Sequence, residues 1–448
     1  MDLSAVFKSY DIRGIFPGQL NEEFAELLGK ALVSHFKCKE IGIARDMRKS
    51  GERLHSALVK GIVSQGCNVL DFGLCTTDEF YFCIARSNLE AGAMITASHN
   101  PKEYNGFKIT GAKAKPLDSK SGLPELKKLV QENTFRDSEK KGTVKKKTML
   151  SDFIDECMGF IDSKKIKPLK IVVDFGNGMG SLTVPKALER LPVKPVFMFE
   201  ELDGSFPNHE ANPLKPEACE DAEKKVLEEK ADLGILFDGD GDRCAFVDDR
   251  GKKVPGDFIS ALLAKQVLQK KKGTVIKEPR SSKFVDKVVE ENGGKMHLTR
   301  VGHSFFKRDM KQHNAVFAGE LSGHYYYDFG DFVSDNALVS ALKILELVSV
   351  ENKSLSGLVA GAEKHFFLSG EINSDVKDKE AKMKELEEHY KGTAKKIFRI
   401  DGLSIEFENW WFNVRPSGTE PLLRLNLEAN SKKLMGEKLA EVLKIIRG

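Results

Sequence analysis

A pattern of apolar strands alternating with amphipathic helices occurs three times along this chain. In the first copy the apolar strand at residues 41–46 precedes a segment with Leu54, Leu58 and Ile62 at helical spacing, and further apolar strands follow. Such alternation predicts α/β domains with parallel or mixed sheets, because a crossover helix returns the chain to the same end of the sheet. The repetition therefore predicts three similar domains of this kind.

The chain changes character near residue 362, where short strands and charged helices indicate a small antiparallel sheet with helices. A chain of 448 residues is too long for a single hydrophobic core, which agrees with several domains. The predicted fold class is α/β, with three similar α/β domains containing mixed sheets and a smaller C-terminal α+β domain, arranged around a central cleft. The predicted domains are residues 1–145, 146–250, 251–358 and 359–448.

Composition and charge argue against several classes of protein. The formal net charge is only +3, so no strong field attracts nucleic acid or a membrane surface. Seven cysteines without a C-x-x-C pair predict reduced core residues and neither a disulfide framework nor a zinc site. The N-terminal segment is charged where a secretory signal is apolar, and no apolar run is long enough to span a bilayer. We expect a cytoplasmic protein that is a monomer or a homodimer. The basic run at 140–147 is predicted to be a solvated linker.

Three aspartates at alternate positions follow an apolar strand of the second repeat. Asp238, Asp240 and Asp242 are separated by glycines, which let the backbone curl so that the carboxylates can converge. Oxygen ligands favour Mg²⁺, and carboxylates this close repel one another unless a cation is present. The alternative is a solvated acidic turn. The next residue, Arg243, can either touch a phosphate beside the metal or form a structural ion pair.

Two further loops carry groups that can bind phosphate or sugar hydroxyls. In RPSGTEP, Arg415 offers a planar fork that pairs with two phosphate oxygens, although the loop can also be an ordinary hairpin turn. In GELSGH, Glu320 and Ser322 lie on one side of an extended chain and can hold sugar hydroxyls, while a glutamate beyond a strand can also cap a helix. The RPSGTEP loop also offers the hydroxyls of Ser417 and Thr419 and the approachable backbone N–H of Gly418.

The segment ITASHNP, residues 95–101, places Ser98 at the end of an apolar strand. The chain has neither a nucleotide-binding P-loop nor a G-x-S-x-G elbow, so a phosphoryl donor can be the protein itself. Beside a metal site and a phosphate loop, Ser98 is a candidate to carry a phosphoryl group and to complete the metal shell. His99 can transfer a proton at that oxygen or only hydrogen-bond to it.

Six motifs, in order and over nearly the whole chain, resemble those of the α-D-phosphohexomutases, specifically the phosphomannomutase/phosphoglucomutase branch. They are KSYDIRG, TASHNP, NGFKI, DGDGDR, GELSGH and RPSGTEP, which begin at residues 8, 96, 105, 238, 319 and 415. The resemblance implies an enzyme that interconverts hexose 1-phosphate and hexose 6-phosphate of mannose or glucose. It also implies a phosphoserine, Mg²⁺ and a hexose 1,6-bisphosphate that is both intermediate and activator.

The same resemblance assigns a role to each loop. It implies that Ser98 is the phosphoserine and a metal ligand together with the three aspartates, and that Glu320 and Ser322 contact the sugar. The phosphate that is not transferred is held by Arg415, Ser417, Gly418 and Thr419. Further residues are implied near the reacting groups or lining the cleft, namely Arg13, His99, Lys108, His324, Lys277 and His303, and Arg243 lies beside the metal loop.

Two positions bear on the identity of the sugar. Leu321 resembles the mannose/glucose branch, since phosphoglucosamine mutases usually carry glutamine there. Gly418 stands where bacterial members of the mannose/glucose branch often have asparagine, and a glycine there also occurs in the glucosamine branch. A phosphoglucosamine mutase is therefore an alternative. A metal-dependent sugar phosphatase and a non-catalytic sugar-phosphate binding protein are the other rival functions.

Overall fold

The computed structural model describes residues 2–417 and 421–448 of the chain. The chain divides into two compact units, which are taken one at a time below. The first unit comprises Met1–Val254, Gly302–Lys311 and Ser322–Ser354. The second unit comprises Pro255–Val301, Gln312–Leu321 and Leu355–Gly448.

The N-terminal part of the first unit contains a six-stranded mixed sheet. Its strands are β1 (Ile12–Ile15), β2 (Glu40–Arg45), β3 (Asn68–Leu74), β4 (Ala91–Ile95), β5 (Tyr104–Gly111) and β6 (Val144–Lys146), in the order β1-β5-β4-β2-β3-β6. β2 is parallel to β3 and β4, and β6 is parallel to β3, whereas β5 is antiparallel to β1 and β4. The helices are α1 (Leu3–Val6), α2 (Glu22–Phe36), α3 (Gly51–Ser64), α4 (Thr77–Arg86) and α5 (Leu123–Glu132).

Local sequence explains where these helices begin and how two of them pack. The side chain of Asn21 accepts a hydrogen bond from the Phe24 N–H and so caps α2, as Thr76 does for α4. The helices α2 and α3 pack so closely that a Cβ at Gly61 would lie only 2.1 Å from the carbonyl oxygen of Glu26, so this position requires glycine. Their apolar faces cover the sheet and form the core of this part of the unit.

A second mixed sheet follows in the first unit, with the order β11-β10-β9-β7-β8. β7 is parallel to β8 and β9, and β10 is antiparallel to β9 and β11. The strands are β7 (Lys170–Asp174), β8 (Lys194–Met198), β9 (Leu233–Phe237), β10 (Cys244–Val247) and β11 (Lys253–Val254). The helices are α6 (Leu150–Met158), α7 (Gly180–Leu188) and α8 (Glu220–Glu229).

The third α/β section contributes strands and helices to both units. To the second unit it gives α9 (Gly256–Lys270), β12 (Thr274–Lys277), α10 (Lys283–Glu291), β13 (Lys295–Leu298), β14 (Phe317–Gly319) and α13 (Leu355–Glu363). There, β12 is parallel to both β13 and β14. To the first unit it gives most of α11 (His303–His313) and all of β15 (Tyr325–Asp328), β16 (Val333–Asp335) and α12 (Ala337–Glu351), with β15 and β16 antiparallel.

The C-terminal part of the second unit is an antiparallel sheet with two helices. Its strands are β17 (Phe367–Asp375), β18 (Lys396–Phe398), β19 (Leu403–Glu406), β20 (Trp410–Pro416) and β21 (Leu422–Ala429), in the order β17-β21-β20-β19-β18. The helices are α14 (Lys379–Tyr390) and α15 (Lys432–Arg447). Apolar residues of α14, α15 and the central strands form its core.

The predicted fold class is confirmed: three α/β sections with parallel and antiparallel pairing precede a smaller antiparallel C-terminal domain. One detail was wrong. The basic run at 140–147 is not only a linker, because Val144–Lys146 forms the exposed edge strand β6. The seven cysteines are all buried and free. Among the helices of the described ranges, none combines the length and hydropathy that crossing a bilayer requires.

Candidate active site

Ser98 lies in a tight turn directly after β4, in the first unit. Its backbone is left-handed, with φ of 50°, and its N–H donates to Oγ1 of Thr96 at 2.8 Å. The Ser98 hydroxyl donates to Oδ2 of Asp238 at 2.8 Å and lies 3.2 Å from Nδ1 of His99. The turn therefore holds one serine hydroxyl against the acidic loop that follows β9.

A buried arginine holds this turn in place. The guanidinium of Arg48 donates to the carbonyl oxygens of Ser98 at 2.7 Å, Pro101 at 2.8 Å and Tyr104 at 2.9 Å, and also to that of Asn100. Its side chain is inaccessible to solvent and lies 3.4 Å from the carboxylate of Asp46. Because a guanidinium has five donors in a fixed fork, one side chain can define the course of the whole loop.

The acidic loop 238–242 is buried, and its glycines let it approach the serine turn. Gly241 has φ of 75°, a conformation that residues with a side chain rarely adopt. A Cβ at Gly239 would lie 2.7 Å from the carbonyl oxygen of Ser98, so only glycine permits this approach. The hydroxyls of Thr77 and Thr96 donate to Oδ2 of Asp240 at 2.7 and 3.2 Å.

Lys108 supplies positive charge to the same cluster. It lies on β5 beside Met94 of β4, and its ammonium donates to Oδ2 of Asp240 at 2.8 Å and to Oδ2 of Asp242 at 2.6 Å. Although burial favours the neutral amine, these two carboxylates raise the pKa of Lys108 well above its usual value. One cation therefore partly neutralises three buried carboxylates.

The donor set fits a divalent cation. Asp238, Asp240 and Asp242 each offer one oxygen, and these three oxygens lie within 4.8 Å of one another. Oδ1 of Asp240 is buried and has no hydrogen-bond partner in the described part of the chain. Burial and the two neighbouring carboxylates raise the pKa of Asp238 well above its usual range. Ligands that are all oxygen, with open positions, are typical of Mg²⁺.

Arg13 and His99 lie beside the serine turn. Arg13, on β1, donates to the side-chain oxygen of Asn100 at 2.5 Å and pairs with Asp11 at the same distance. Desolvation, together with the charges of Arg243 and Arg13, lowers the pKa of His99 well below its usual range, so its ring is neutral at pH 7. A neutral ring can accept or relay a proton at the Ser98 hydroxyl.

His324 connects Arg243 to the acidic loop. Its Nε2 lies 3.1 Å from Oδ1 of Asp242 and 3.0 Å from Nε of Arg243. Burial favours the neutral carboxyl, but Lys108 and His324 nevertheless lower the pKa of Asp242 well below its usual range. The hydroxyl of Ser322 is 3.5 Å from Nδ1 of His324, which joins the GELSGH loop to this cluster.

His303, the first residue of α11, belongs to the same unit. Its ring is buried and contacts the ring of Tyr10 edge-on at 5.1 Å. Burial lowers the pKa of His303 well below its usual range, and the charges of Lys307 and Lys108 act in the same direction. Neither ring nitrogen has a hydrogen-bond partner within residues 2–417 and 421–448.

Glu320 and Lys277 are in the second unit, at the ends of neighbouring strands. Glu320 follows β14 and is 4% exposed. The next residue, Leu321, donates its N–H to Oε1 of Glu278 at 3.0 Å, and this carboxylate also pairs with Arg280. Lys277 ends β12, and its ammonium donates to the carbonyl oxygens of Ser281 and Ser282 and to the carboxylate of Asp286.

Arg415 lies in a group of three arginines around Glu371, also in the second unit. Arg280 donates to Oε2 of Glu371 at 3.0 Å, and a guanidinium nitrogen of Arg415 lies 3.5 Å from the same oxygen. Arg424 lies 3.4 Å from the other oxygen. Burial alone would raise the pKa of Glu371, but the charges of these three arginines outweigh it and lower the pKa. Ser417 is buried, while Gly418 and Thr419 lie outside the described residues.

The structure thus groups the predicted residues unit by unit. The first unit brings together Ser98, His99, Arg13, Lys108, Arg243, Ser322, His324 and the three aspartates, and it also contains His303. The second unit contains Glu320, Lys277, Arg415 and Ser417. Sequence reasoning missed Arg48 and Glu371. Arg48 follows β2, which is parallel to its neighbour β4, so Arg48 lies at the same end of the sheet as Ser98. That position was the signal by which the sequence could have indicated Arg48. Glu371 gave no such signal.

Comparison with known proteins agrees with this arrangement. Four family models match, described as phosphoglucomutase/phosphomannomutase domain I at residues 4–137, domain II at 151–251, domain III at 255–366 and the C-terminal domain at 371–445. The chain is 38% identical to a phosphomannomutase of Vibrio cholerae, with 98% of each chain covered. It is also 38% identical to a phosphomannomutase of Methanocaldococcus jannaschii, with 98% of this chain and 97% of that one covered.

A solved structure shows the same fold. It is a phosphoglucomutase/phosphomannomutase family protein from Burkholderia thailandensis, which superposes with a TM-score of 0.90 at 27% identity and covers 99% of this chain and 97% of that one. The chain therefore belongs to the phosphoglucomutase/phosphomannomutase family. It is an enzyme of the phosphohexomutase type, an isomerase.

Proposed function

We propose that this enzyme interconverts the 1-phosphate and 6-phosphate of mannose or glucose through a phosphorylated Ser98 and a hexose 1,6-bisphosphate. The observation that carries the proposal is the contact between the Ser98 hydroxyl and Asp238, at 2.8 Å within a cluster of three buried carboxylates. Three crowded, buried carboxylates repel one another unless positive charge joins them. A divalent cation between them would relieve that repulsion and would also balance the negative charge of a phosphate group on Ser98.

In the first transfer, a free hydroxyl of the hexose monophosphate forms a bond to the phosphorus as the bond between phosphorus and Ser98 Oγ breaks. The hydroxyl proton ends on Ser98 Oγ, so the charges balance. His99 Nδ1, at 3.2 Å from that oxygen and neutral, is placed to relay the proton. Arg13, Lys108 and Arg243 bring positive charge to the transferring group.

Asp238, Asp240 and Asp242 would hold Mg²⁺, which when bound supplies positive charge at the phosphoryl oxygens. The chain itself fixes the rest. Arg48 keeps the Ser98 turn in one conformation by donating to its carbonyl oxygens. Thr77 and Thr96 hold Asp240 in one orientation, which limits the freedom of the carboxylate before a ligand arrives.

The second transfer returns a phosphoryl group to Ser98. Since the chain offers one such serine, the bisphosphate turns around and presents its other phosphate, and the exchange of bonds is reversed. Arg415 binds the phosphate that is not transferred, because its fork pairs with two oxygens, and Ser417, Gly418 and Thr419 assist it. Glu320 and Ser322 accept hydroxyls of the sugar, with His324, His303 and Lys277 as further substrate contacts.

Mass spectrometry of the intact enzyme tests the phosphoserine directly. Incubation with glucose 1,6-bisphosphate is expected to add one phosphate group, and peptide mapping is expected to place it on Ser98. The Ser98→Ala variant takes up no phosphate and loses turnover. The matched variant Ser119→Ala, at an exposed position of the same unit, behaves like the wild type. Absence of phosphate at Ser98 before and after the incubation would refute the proposal.

Turnover assays separate the rival functions. A mutase interconverts isomers and is stimulated by the bisphosphate, whereas a phosphatase releases inorganic phosphate and a binding protein does neither. The proposal expects mannose and glucose phosphates to turn over faster than glucosamine 6-phosphate. The opposite order would identify a phosphoglucosamine mutase and leave the phosphoserine mechanism standing.

A further inference from the structure

The first unit contains a cavity of about 730 Å³ that the proposed reaction does not use. One wall is the segment 112–121, which follows β5. The opposite wall is α11, and residues 330–333 close one side. This volume suits a small metabolite, since ligand sites in proteins typically measure about 300–1,000 Å³.

One face of α11 supplies polar and basic groups to this cavity. Its lining residues on that helix are Ser304, Lys307, Arg308 and Lys311. They are spaced at i, i+3, i+4 and i+7, so they form one continuous stripe along the helix. The helix therefore presents a hydroxyl and three cations to the same space.

The facing segment contributes cations that have no acidic partner. Lys113, Lys115 and Lys120 line the cavity, and within the described ranges none of their ammonium groups forms a salt bridge or hydrogen bond. Two of the α11 cations already have acidic partners: Arg308 pairs with Asp309 at 2.9 Å, and Lys311 pairs with Asp328 at 3.7 Å.

Two carboxylates also line the cavity: Asp118, which accepts the backbone N–H of Lys120 at 2.8 Å, and Asp331, which pairs with Arg86 at 2.7 Å. Because six Lys and Arg side chains line the same space, the cavity has an excess of positive charge.

A buried hydroxyl also faces this space without a partner. Ser304 is 2% exposed, and its Oγ forms no hydrogen bond to any described residue. An unsatisfied buried hydroxyl is unfavourable, typically by about 1–3 kcal/mol. Beside it the ammonium of Lys307 lies 2.8 Å from Asp335 and over the ring of Tyr81, which fixes its position. A bound acceptor oxygen would satisfy the Ser304 hydroxyl.

The 112–121 wall of the cavity lies far from the Ser98 turn, whereas the α11 wall adjoins the acidic cluster, because Lys307 pairs with Asp335, which offers an oxygen within 4.8 Å of ligand atoms of Asp242 and His324. Ser98 follows β4, and its turn leads to the start of β5, whereas residue 112 follows the end of β5. The two strands are antiparallel, so these positions lie at opposite ends of the strand pair. Eight residues of strand separate them by about 25 Å. Lys113 and Ala114, at the cavity, both have left-handed backbones, with φ of 55° and 54°.

We propose that this cavity is a second anion site, which binds the phosphate dianion of a small phosphorylated ligand. A dianion neutralises the unpaired lysines and gives Ser304 an acceptor, and the remaining volume accommodates a group the size of a sugar. Free phosphate and a sugar phosphate share this chemistry. The proposal does not depend on the phosphoserine mechanism.

Amine footprinting tests the site at the level of single residues. The purified enzyme is acetylated with a limiting reagent in the presence of inorganic phosphate, glucose 6-phosphate or glucose, and peptides are quantified. Either phosphate compound is expected to slow labelling of Lys113, Lys115 and Lys120 about threefold or more, because a nearby anion favours the protonated amine. Stronger protection by glucose 6-phosphate identifies a sugar phosphate as the ligand, and equal protection identifies phosphate alone.

Lys145, Lys194 and Lys230 are internal controls, since they are exposed lysines of the same unit away from the cavity. Lys230 is a close match for Lys113, because its φ is 50° and its side chain is also exposed. No protection at the cavity lysines, or the same protection at the controls or with glucose, would overturn the proposal.

A variant adds a second readout. In the triple variant K113Q/K115Q/K120Q, phosphate is expected to lose its protection of the α11 amides at residues 304–311 against hydrogen exchange. The matched triple K145Q/K194Q/K230Q keeps that protection. Both variants are expected to retain wild-type turnover at saturating substrate. Unchanged protection in the first variant contradicts the assignment.

Discussion

The hydroxyl of Ser98 donates to the carboxylate of Asp238 at 2.8 Å, although 140 positions separate the two residues in the sequence. The contact joins the turn after β4 to the loop after β9, and Lys108 reaches the other two aspartates from β5. A group on Ser98 Oγ therefore lies within reach of both the proposed metal ligands and a fixed cation.

Replacing Asp238 by asparagine separates stability from metal binding. Asp238→Asn keeps an oxygen for the Ser98 hydroxyl but cannot ionise, so the cost of burying an ionisable carboxyl beside two others is removed and the metal-free protein is expected to become more stable. Loss of a ligand is expected to weaken Mg²⁺ binding by at least about 10–100-fold, so Mg²⁺ raises the Tm less than in the wild type. Thermal unfolding across a Mg²⁺ series measures both effects. The exposed control Asp152→Asn keeps the wild-type response, and an unchanged response in Asp238→Asn contradicts the assignment.

Lys108 partly neutralises the acidic loop in the metal-free protein. Lys108→Met leaves Asp240 and Asp242 without this cation and is expected to destabilise the protein in EDTA by about 3–5 kcal/mol. Mg²⁺ should recover part of that loss, because it restores positive charge between the same carboxylates. Urea unfolding with EDTA and with Mg²⁺ measures the difference, and Lys145→Met is the exposed control. Equal destabilisation in both conditions would show that the ammonium acts by packing alone.

Arg48 is predicted to position the Ser98 turn without touching the substrate. Arg48→Lys keeps the charge beside Asp46 but cannot reach all four carbonyl oxygens, so kcat is expected to fall by about 10–100-fold while KM changes little. The rate at which glucose 1,6-bisphosphate phosphorylates Ser98 should fall in parallel. The control Arg53→Lys, at an exposed arginine of the same unit, should leave kcat unchanged. A rise in KM alone would assign Arg48 to substrate binding.

Asp257 makes the stability of the second unit depend on pH. Burial, with a contribution from the charge of Glu278, raises the pKa of Asp257 from an ordinary value of 3.8 to about 7. Between these values the folded state holds a proton that the unfolded state has released, so stability decreases as the pH rises from 4 to 7. The stabilisation is complete below pH 4 and is lost above pH 7.

Asp257→Asn cannot ionise and should lose this dependence. Its stability relative to the wild type is expected to increase with pH, by about 4 kcal/mol between pH 3 and pH 8. Urea unfolding at several pH values, followed by the fluorescence of the two tryptophans at 410 and 411, measures it. Asp375→Asn, an exposed position of the same unit, should follow the wild type. A difference between Asp257→Asn and wild type that does not change with pH would show that folding leaves the pKa of Asp257 unchanged and would contradict the prediction.

Much of the fold could be predicted because its signals are local. Alternating strands and helices have their own periodicities, and the helix starts at Asn21 and Thr76 are capped by residues typical of that position. The acidic loop was also visible, since three aspartates separated by glycines form a pattern within five residues. The edge strand β6 was not predicted, because its residues are exposed and mostly charged, and they pair with β3 without contributing to a core.

The amino-acid order alone determined which segments form strands and helices, and which loops carry carboxylates, hydroxyls and guanidinium groups, because those preferences act between near neighbours. Only the tertiary structure decided that Arg48 holds the Ser98 turn, that Glu371 lies among three arginines, and that three lysines face α11 across a cavity. Each of these arrangements depends on residues that are far apart in the chain. Such arrangements leave no periodic pattern in the sequence, because the order of the strands in the sheets, and not the local spacing of residues, makes these side chains neighbours.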